Sequence, residues 1–303
     1  MRKLSHALVF IHNSTLVKLK TGMMFEFNEE MQQLLNHVHV NVPWKILPDY
    51  LDRVLRHRLN VEIGFEGEDL DRAARSDIHS TARRLLEAGC RISLHGPFWD
   101  LNPGSIDSLI GQISRFRLQQ FLDLVDVFHP VQVVCHTGYD PRHHQGHRQI
   151  WLDRSLAAWE PLVKRAEISK VPLLLENVWE YDPHLHRELF EAIPSPCFGF
   201  CLDVGHQHSF SKTALSVWLQ VLSGFLKEIH LHDNDGSGDA HLPVGRGNID
   251  FGLLFGFLRE NGKSPLLTLE PHQEEHVVES LAGLLEVVGD GVWSSGDGRS
   301  GTI

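Results

Sequence analysis

Short apolar runs that end in a metal-ligating side chain recur along this chain. Six successive runs end this way: ISLHG, VQVVCHTG, PLLLENV, FGFCLDVGH, EIHLHDN and PLLTLEPH. A buried polar residue at the end of a strand costs free energy unless a partner such as a divalent cation compensates for it. Because the carboxyl ends of parallel strands meet at one mouth when a sheet closes into a barrel, we expect these side chains to converge. Together with two residues of the loop after the fifth run, they are His95, His136, Glu176, Asp203, His206, His230, Asp239, His241 and Glu270.

Strands and helices are predicted to alternate through most of the chain. Short, continuously apolar runs are typical of strands covered on both faces, and eight occur, at residues 37–42, 61–65, 91–95, 131–136, 171–176, 198–203, 228–232 and 266–270. Stretches of helical period lie between and after them, at residues 47–59, 76–88, 106–127, 154–168, 185–192, 214–225, 251–259 and 274–287. Eight such units favour one α/β domain, a closed (β/α)8 TIM barrel over residues 37–288.

Two segments lie outside this repeat. Residues 1–36 precede the first strand, and we expect an N-terminal extension. It is either a helical plug on the barrel floor or an over-extended gene start, because Met31 directly precedes the run QQLLNHVHV. Residues 289–303 are rich in Gly and Ser, which predicts a flexible, disordered tail.

Composition limits the partners and the compartment. The net charge of −11 disfavours nucleic acid as a partner, because such binding needs clustered Lys and Arg. No apolar run approaches the roughly 20 residues of a membrane span, so no membrane partner is expected. The four cysteines form no disulfide framework in a chain of this size. We therefore expect a cytoplasmic protein.

The candidate ligands mix imidazole nitrogens with carboxylate oxygens, which suits Zn²⁺ or Mn²⁺ better than Ca²⁺. Asp239 and His241 stand two residues apart and could chelate one ion from a single loop. A carboxylate such as Glu176 has two oxygens and could bridge two cations. Taken singly, each residue has a simpler interpretation: a hydrogen-bonded core histidine at His95 or His136, a buried ion pair at Glu176 or Glu270. Taken together, they predict an enzyme with several metals.

Candidate substrate contacts flank these runs. Phe98 and Trp99 follow His95 and are expected to form an apolar wall on the substrate side, with core packing as the alternative. Arg142 and Arg148 lie in the His-rich segment PRHHQGHR, which we expect to be a flexible loop over the mouth, where they could contact a phosphate. A further candidate is Arg246, in the Gly-rich loop after the seventh strand. His208 is expected to be a solvated loop residue.

From about residue 91 to residue 272, the ordered set HGPF, CHTG, LLENV, CLDVGH, HLHDN with D-x-H, and LEPH resembles the xylose isomerase-like TIM-barrel superfamily. That superfamily includes the endonuclease IV type of apurinic endonuclease (AP endonuclease family 2) and many sugar or sugar-phosphate isomerases and epimerases. The endonuclease type implies up to three metal ions held by all nine residues. The first ion would be held by His95, His136 and the bridging Glu176, the second by Glu176, Asp203, His230 and Glu270, and the third by His206, Asp239 and His241.

The isomerases and epimerases of this superfamily imply a smaller set of ligands. A single ion would be held by four residues, Glu176, Asp203, His230 and Glu270. The two glutamates would also act as acid and base on the substrate carbon, and His206 would contact the sugar. Glu176, Glu270 and His206 are therefore the candidate catalytic residues.

Two functions remain open at this point. The first is hydrolysis of a phosphodiester or phosphomonoester in a small phosphorylated substrate, and the second is isomerisation or epimerisation of a sugar or sugar phosphate. The complete set of nine favours hydrolysis, because His95, His136, Asp239 and His241 have no necessary role in a one-metal isomerase. Cleavage of abasic DNA ranks lower because the chain is acidic, and a non-catalytic binding module ranks last because no ligand is missing.

Overall fold

Eight parallel strands form a closed barrel in which each strand pairs with the next and the last pairs with the first. The computed structural model describes residues 27–288, so residues 1–26 of the expected extension and the expected tail at 289–303 lie outside the described residues. The TIM-barrel prediction is confirmed. The strands are β1 (Val38–Pro43), β2 (Asn60–Gly64), β3 (Ile92–His95), β4 (Val133–His136), β5 (Leu173–Glu176), β6 (Phe198–Asp203), β7 (Leu226–Leu231) and β8 (Leu266–Leu269).

Helices connect the strands and cover the barrel. They are α1 (Glu29–Leu35), α2 (Leu47–His57), α3 (Gly67–Arg72), α4 (Arg75–Glu87), α5 (Ser108–Leu122), α6 (Val125–Phe128), α7 (Pro141–His144), α8 (Arg148–Ser169), α9 (His184–Ala192), α10 (Val204–Phe210), α11 (Leu215–Leu222), α12 (Phe251–Glu260) and α13 (Glu275–Val288). The predicted helix at 106–127 is divided into α5 and α6. Within residues 27–288, no helix has the length and apolar character needed to cross a membrane.

The first helix belongs to the packed structure. Asn28 caps α1 by accepting the backbone N–H of Met31, and Leu34 and Leu35 at its end are buried. The side-chain amide of Asn60, the first residue of β2, donates to the carbonyl of Leu35 at 3.2 Å. Because β2 begins at the amino end of the barrel, α1 ends at that rim, opposite the mouth.

Strand register brings the predicted ligands to one height. In the parallel pairing, His136 of β4 lies beside Glu176 of β5, and Asp203 of β6 lies beside His230 of β7. Leu, Val, Ile and Phe side chains of the strands and helices form the surrounding core. The barrel therefore presents several side chains of the types that can bind metal at its carboxyl mouth.

Candidate metal centre

Glu176 lies at the middle of the mouth, within 3.4 Å of four of the predicted histidines, His95, His136, His206 and His230. One carboxylate oxygen, Oε2, lies 3.1 Å from Nε2 of His95 and 3.2 Å from Nε2 of His136. The other, Oε1, lies 3.0 Å from Nδ1 of His206. The Glu176 side chain is only 1 % exposed, so its charge is removed from solvent. Glu176 can therefore offer one carboxylate oxygen to each side of the pocket.

A second cluster lies on the far side of His206. Nε2 of His206 is 3.2 Å from Oδ2 of Asp239, and Nε2 of His241 is 3.1 Å from the same oxygen. The remaining oxygen, Oδ1, is buried and accepts no hydrogen bond. Three donor atoms of this cluster lie within 4.8 Å of one another, as do three from His95, His136 and Glu176. The structure thus brings together the first and third predicted ligand sets.

His230 stands between the two glutamates. Its Nδ1 is 3.0 Å from Oε1 of Glu270 and 3.4 Å from Oε2 of Glu176. The predicted fourth member of this set, Asp203, is more distant, with Oδ2 4.0 Å from the same nitrogen. Asp203 is instead engaged by His232, whose Nε2 lies 3.1 Å from each of its carboxylate oxygens. The second ligand set is therefore assembled around His230, with Asp203 at its edge.

The loop after β7 is shaped by a residue that we did not predict. Asp233 accepts backbone N–H groups from Gly245, Gly247 and Ile249 at 2.8–3.2 Å. A Cβ at Gly247 would lie 2.3 Å from Oδ1 of Asp233, so only glycine fits there. Antiparallel bridging between Asp233 and Leu242 closes the loop. These bonds fold the segment that carries Asp239 and His241 back over the mouth.

The donor set fits divalent cations. Two ligands of one ion at bond lengths of about 2.1 Å are separated by roughly 3.0–3.4 Å in octahedral or tetrahedral geometry. The contacts of Glu176 and Asp239 with histidine nitrogens fall in that range. Both ring nitrogens of His230 are buried and lack a hydrogen bond of good geometry, although carboxylates lie nearby. A cation site requires lone pairs that are not occupied by hydrogen bonds, and His230 meets this requirement.

Carboxylates at the mouth raise the pKa of some of the neighbouring imidazoles, whose protons can then balance the negative charges. Burial alone would lower the pKa of His95, but its hydrogen bond to Glu176 and the charge of that carboxylate outweigh burial and raise the pKa to about 9. For His206, the opposing charge of Asp203 and the bond to Asp239 also outweigh burial, so its pKa rises well above the ordinary value. Burial would raise the pKa of Glu176, yet the neighbouring imidazolium charges hold it well below 4.5. Bound cations would take the place of these protons.

An aromatic cleft of about 160 Å³ opens beside the donor set. Phe98 and Trp99 line it, and the Phe98 ring centroid lies 4.5 Å from that of His136. Trp99 is 68 % exposed, so it is not a core residue. Tyr139 and Trp179 complete the aromatic lining. The structure therefore places the two predicted aromatic residues next to a candidate ligand.

The two arginines predicted to contact the substrate at the mouth each form an ion pair with a carboxylate of the protein. Arg142 forms a bidentate pair with Asp140, donating from Nε to Oδ1 and from Nη2 to Oδ2, and its guanidinium lies 4.7 Å from the centroid of the Trp179 ring at the cleft. Arg148 forms a bidentate pair with Glu188 of α9, at 2.8–2.9 Å. These two arginines are thus not assembled into one phosphate-binding group.

Arg246, His208 and the segment PRHHQGHR are all ordered parts of the described structure. Arg246 is exposed, in a turn closed by its backbone N–H to the carbonyl of Pro243. The expected loop PRHHQGHR contains α7 followed by a 3-10 turn at Gln145–His147. His208 was expected to be solvated, but it is half-buried, with Nε2 2.5 Å from Oδ1 of Asn248.

Two histidines at the site escaped sequence reasoning. His232 is the second histidine of HLHDN and stacks on His241, with centroids 3.7 Å apart and planes 5° apart. His272, the last residue of LEPH, stacks on the other face of His241 at 3.6 Å. The available signal was spacing, because His232 follows His230 by two residues in the strand predicted at 228–232 and so shares its predicted face.

Comparison with known proteins agrees with this architecture. A family model described as a xylose isomerase-like TIM barrel matches residues 60–287. The uncharacterized protein MJ1311 of Methanocaldococcus jannaschii is 28% identical over 211 residues, which cover 66% of this chain and 72% of that protein.

Among solved structures, the TTHB071 protein from Thermus thermophilus, soaked with ZnCl2, superposes with a TM-score of 0.67 and 28% identity. The match covers 82% of this chain and 98% of that one. A D-tagatose 3-epimerase-like protein gives a TM-score of 0.72 at 24% identity over 83% of this chain and 98% of that one, which shows a shared fold. The family match spans most of the barrel and all nine candidate ligands. The chain belongs to the xylose isomerase-like TIM-barrel family.

Proposed function

We propose that this protein is a divalent-metal-dependent hydrolase of phosphoesters, acting on a small phosphorylated substrate through Zn²⁺ or Mn²⁺, with up to three ions. The observation that carries the proposal is the pair of three-residue clusters on either side of the central ligands. One is formed by His95, His136 and Glu176, and the other by His206, Asp239 and His241. A one-metal sugar isomerase needs neither cluster to be complete.

The residues would divide the work as follows. Bound cations supply positive charge that stabilises the oxygens between which the phosphoryl group is transferred. Glu176, almost fully buried, would hold ligands in place on both sides of the pocket. Glu270 and His206 have side chains 12 % and 13 % exposed, so they can reach a substrate at the mouth. Their roles would be to accept and to donate protons there.

The cleft beside His136 supports a substrate of limited size. Its volume of about 160 Å³ is close to that of a cavity that holds a single benzene ring. An aromatic wall formed by Phe98, Trp99 and Trp179 suits the face of a sugar or another ring. The acidic charge of the chain favours such a small substrate over duplex DNA, so cleavage of abasic DNA remains the least favoured enzymatic reaction.

Epimerisation or isomerisation of a sugar or sugar phosphate is the second candidate. It is favoured by the placement of Glu176 and Glu270 on one nitrogen of His230, because two carboxylates facing a common ligand could move a proton between neighbouring carbons. The likeness of the fold to a D-tagatose 3-epimerase-like protein supports the same candidate.

Replacement of His241 by Ala separates the two candidates. In a hydrolase that uses the cluster of His206, Asp239 and His241, the variant should lose activity on bis(p-nitrophenyl) phosphate by about 100-fold or more. In a one-metal epimerase, turnover of free ketoses such as D-fructose should fall less than about threefold, because His241 would not bind the ion. His208→Ala, which removes a histidine whose side chain bonds to Asn248 and to none of the candidate ligands, is the matched control and should leave either activity intact. Full phosphodiesterase activity in His241→Ala would refute the multi-metal proposal.

A further inference from the structure

A carboxylate buried below the metal centre contacts one of the candidate ligands from behind. Glu62 lies in β2 and is fully buried inside the barrel. Its Oε1 is 3.2 Å from Nε2 of His230. The other ring nitrogen of His230, Nδ1, faces Glu270 and Glu176 at the mouth. The imidazole therefore stands between a carboxylate on the floor side and the donor set on the open side.

Neutral hydrogen-bond donors hold Glu62 in this orientation. The side-chain amide of Asn41 donates to Oε1 at 3.0 Å, and the hydroxyl of Ser93 donates to Oε2 at 3.3 Å. Ser93 is in turn held by Nδ1 of His39, at 2.9 Å. Within residues 27–288, the ion-pair partner of Glu62 is His230, with no Lys or Arg in contact. A buried carboxylate with this single ionisable partner constrains that partner strongly.

We propose that Glu62 is a positioning residue, which makes His230 bind its metal ion through Nδ1. A carboxylate can only accept a hydrogen bond. Glu62, whose Oε1 lies 3.2 Å from Nε2 although without well-aligned hydrogen-bond geometry, therefore favours the tautomer of His230 that carries its proton on Nε2. The Nδ1 lone pair is then directed at the mouth, between Glu176 and Glu270. Partners of this kind orient a ligating histidine and increase its basicity, and their loss costs 10–100-fold in metal affinity. The inference rests on the proposed metal centre but on neither of the two candidate reactions.

A second buried glutamate provides a natural comparison. Glu228, also fully buried, approaches the same Nε2 but only to 3.8 Å. Its oxygens are taken up by the hydroxyl of Thr268 at 2.5 Å and the amide of Gln132 at 2.7 Å. Glu228 thus has the same side chain and burial as Glu62 without the short contact to His230, and burial with the charge of Glu62 raises the pKa of Glu228 to about 8. Glu228→Gln is therefore the matched control for Glu62→Gln.

The test compares Zn²⁺ binding by the full-length wild type, Glu62→Gln and Glu228→Gln, titrated in competition with a chromogenic chelator. Glu62→Gln should weaken one site by 10–100-fold, while the site of His206, Asp239 and His241 keeps its affinity. Glu228→Gln should change every site less than about threefold. Thermal melts followed by circular dichroism would establish that both variants fold.

NMR spectroscopy distinguishes a positioning role of Glu62 from a merely structural one, because it reports which ring nitrogen of His230 binds the metal. In ¹⁵N-histidine NMR of the zinc-loaded wild type, His230 should show metal on Nδ1 and the proton on Nε2, and this signature should be lost in folded Glu62→Gln. Equal losses of affinity in Glu62→Gln and Glu228→Gln, or none in either, would overturn the role of Glu62. So would coordination through Nε2. A wild type that binds no Zn²⁺ would instead refute the metal centre itself.

Discussion

Replacement of Gly205 by Ala tests the packing of the site most severely. Gly205 lies in α10, and a Cβ there would come 1.9 Å from Cε1 and 2.5 Å from both nitrogens of His232. The His232 ring cannot easily retreat, because it is stacked on His241 and its Nε2 bonds Asp203. The glycine backbone is also fixed, since its carbonyl accepts the side-chain amide of Asn234 at 3.0 Å.

The energetic terms of this substitution oppose one another. Ala is favoured over Gly in a helix by about 1 kcal/mol. Overpacking costs about 1–3 kcal/mol, and loss of the bond between His232 and the Asp203 carboxylate costs about 1.5–3 kcal/mol. The clash therefore wins, and we expect the free energy of unfolding of Gly205→Ala to fall by about 3 kcal/mol. For a barrel of this size, that corresponds to a Tm lower by roughly 5–10 °C.

Urea unfolding and thermal melts of metal-free protein would measure this change. Gly256→Ala is the matched control, because Gly256 lies within α12 and a Cβ there would meet nothing within 4 Å. That control should be stabilised by up to about 1 kcal/mol. If Gly205→Ala were as stable as the wild type, His232 would not occupy the place described here, and its contact with Asp203 could not matter to the site.

The remaining predictions concern the charges of the metal centre. Glu176→Gln keeps the shape of the central side chain but removes its charge. Metal affinities should therefore weaken at least 10–100-fold, and either enzymatic activity should disappear. A variant that kept its metal content and its activity would contradict the bridging role. Metal affinity should rise with pH up to about 9, because a cation must displace the proton that His95 holds below its pKa of about 9. A competition titration from pH 6 to 9 measures this, and an affinity that did not change with pH would contradict it. Protonated His95 also stabilises the metal-free fold, as its raised pKa of about 9 indicates. This contribution is complete below a pH of about 6.5 and is lost above about 9. The Tm of metal-free protein should therefore decline across that window, while the Tm of metal-loaded protein should not.

The barrel could be predicted because its strands and helices carry independent signals. Each of the eight strands is a short apolar run, and the observed bounds differ from the predicted ones by no more than two residues. Short helices such as α3 and α10 were missed because their first turns are set by side-chain caps. In α10 the cap is Asp203 itself, which accepts the backbone N–H of His206 at 2.6 Å. A candidate metal ligand that also starts a helix has no distinct pattern in sequence.

The part of the candidate site that could be predicted consists of the residues at or just after the ends of the strands. Five of the nine proposed ligands lie in the last two residues of parallel strands, which finish at the mouth, and the other four lie in the segments that follow β6, β7 and β8. His232 was missed, although it follows His230 by two residues, because its partner Asp203 lies 29 residues earlier in the chain. The ion pair of Arg148 was missed for the same reason. Its partner, Glu188, lies 40 residues further on, and nothing local indicated that pairing.

The most direct test of the metal centre is a count of metal ions per chain. Protein purified without chelator would be measured by elemental analysis, before and after dialysis against Zn²⁺ and Mn²⁺. The proposed multi-metal hydrolase predicts a value near three, dominated by zinc or mixed with manganese. A value near one would contradict it and favour the one-metal epimerase, and a value of zero after reloading would refute the metal centre altogether.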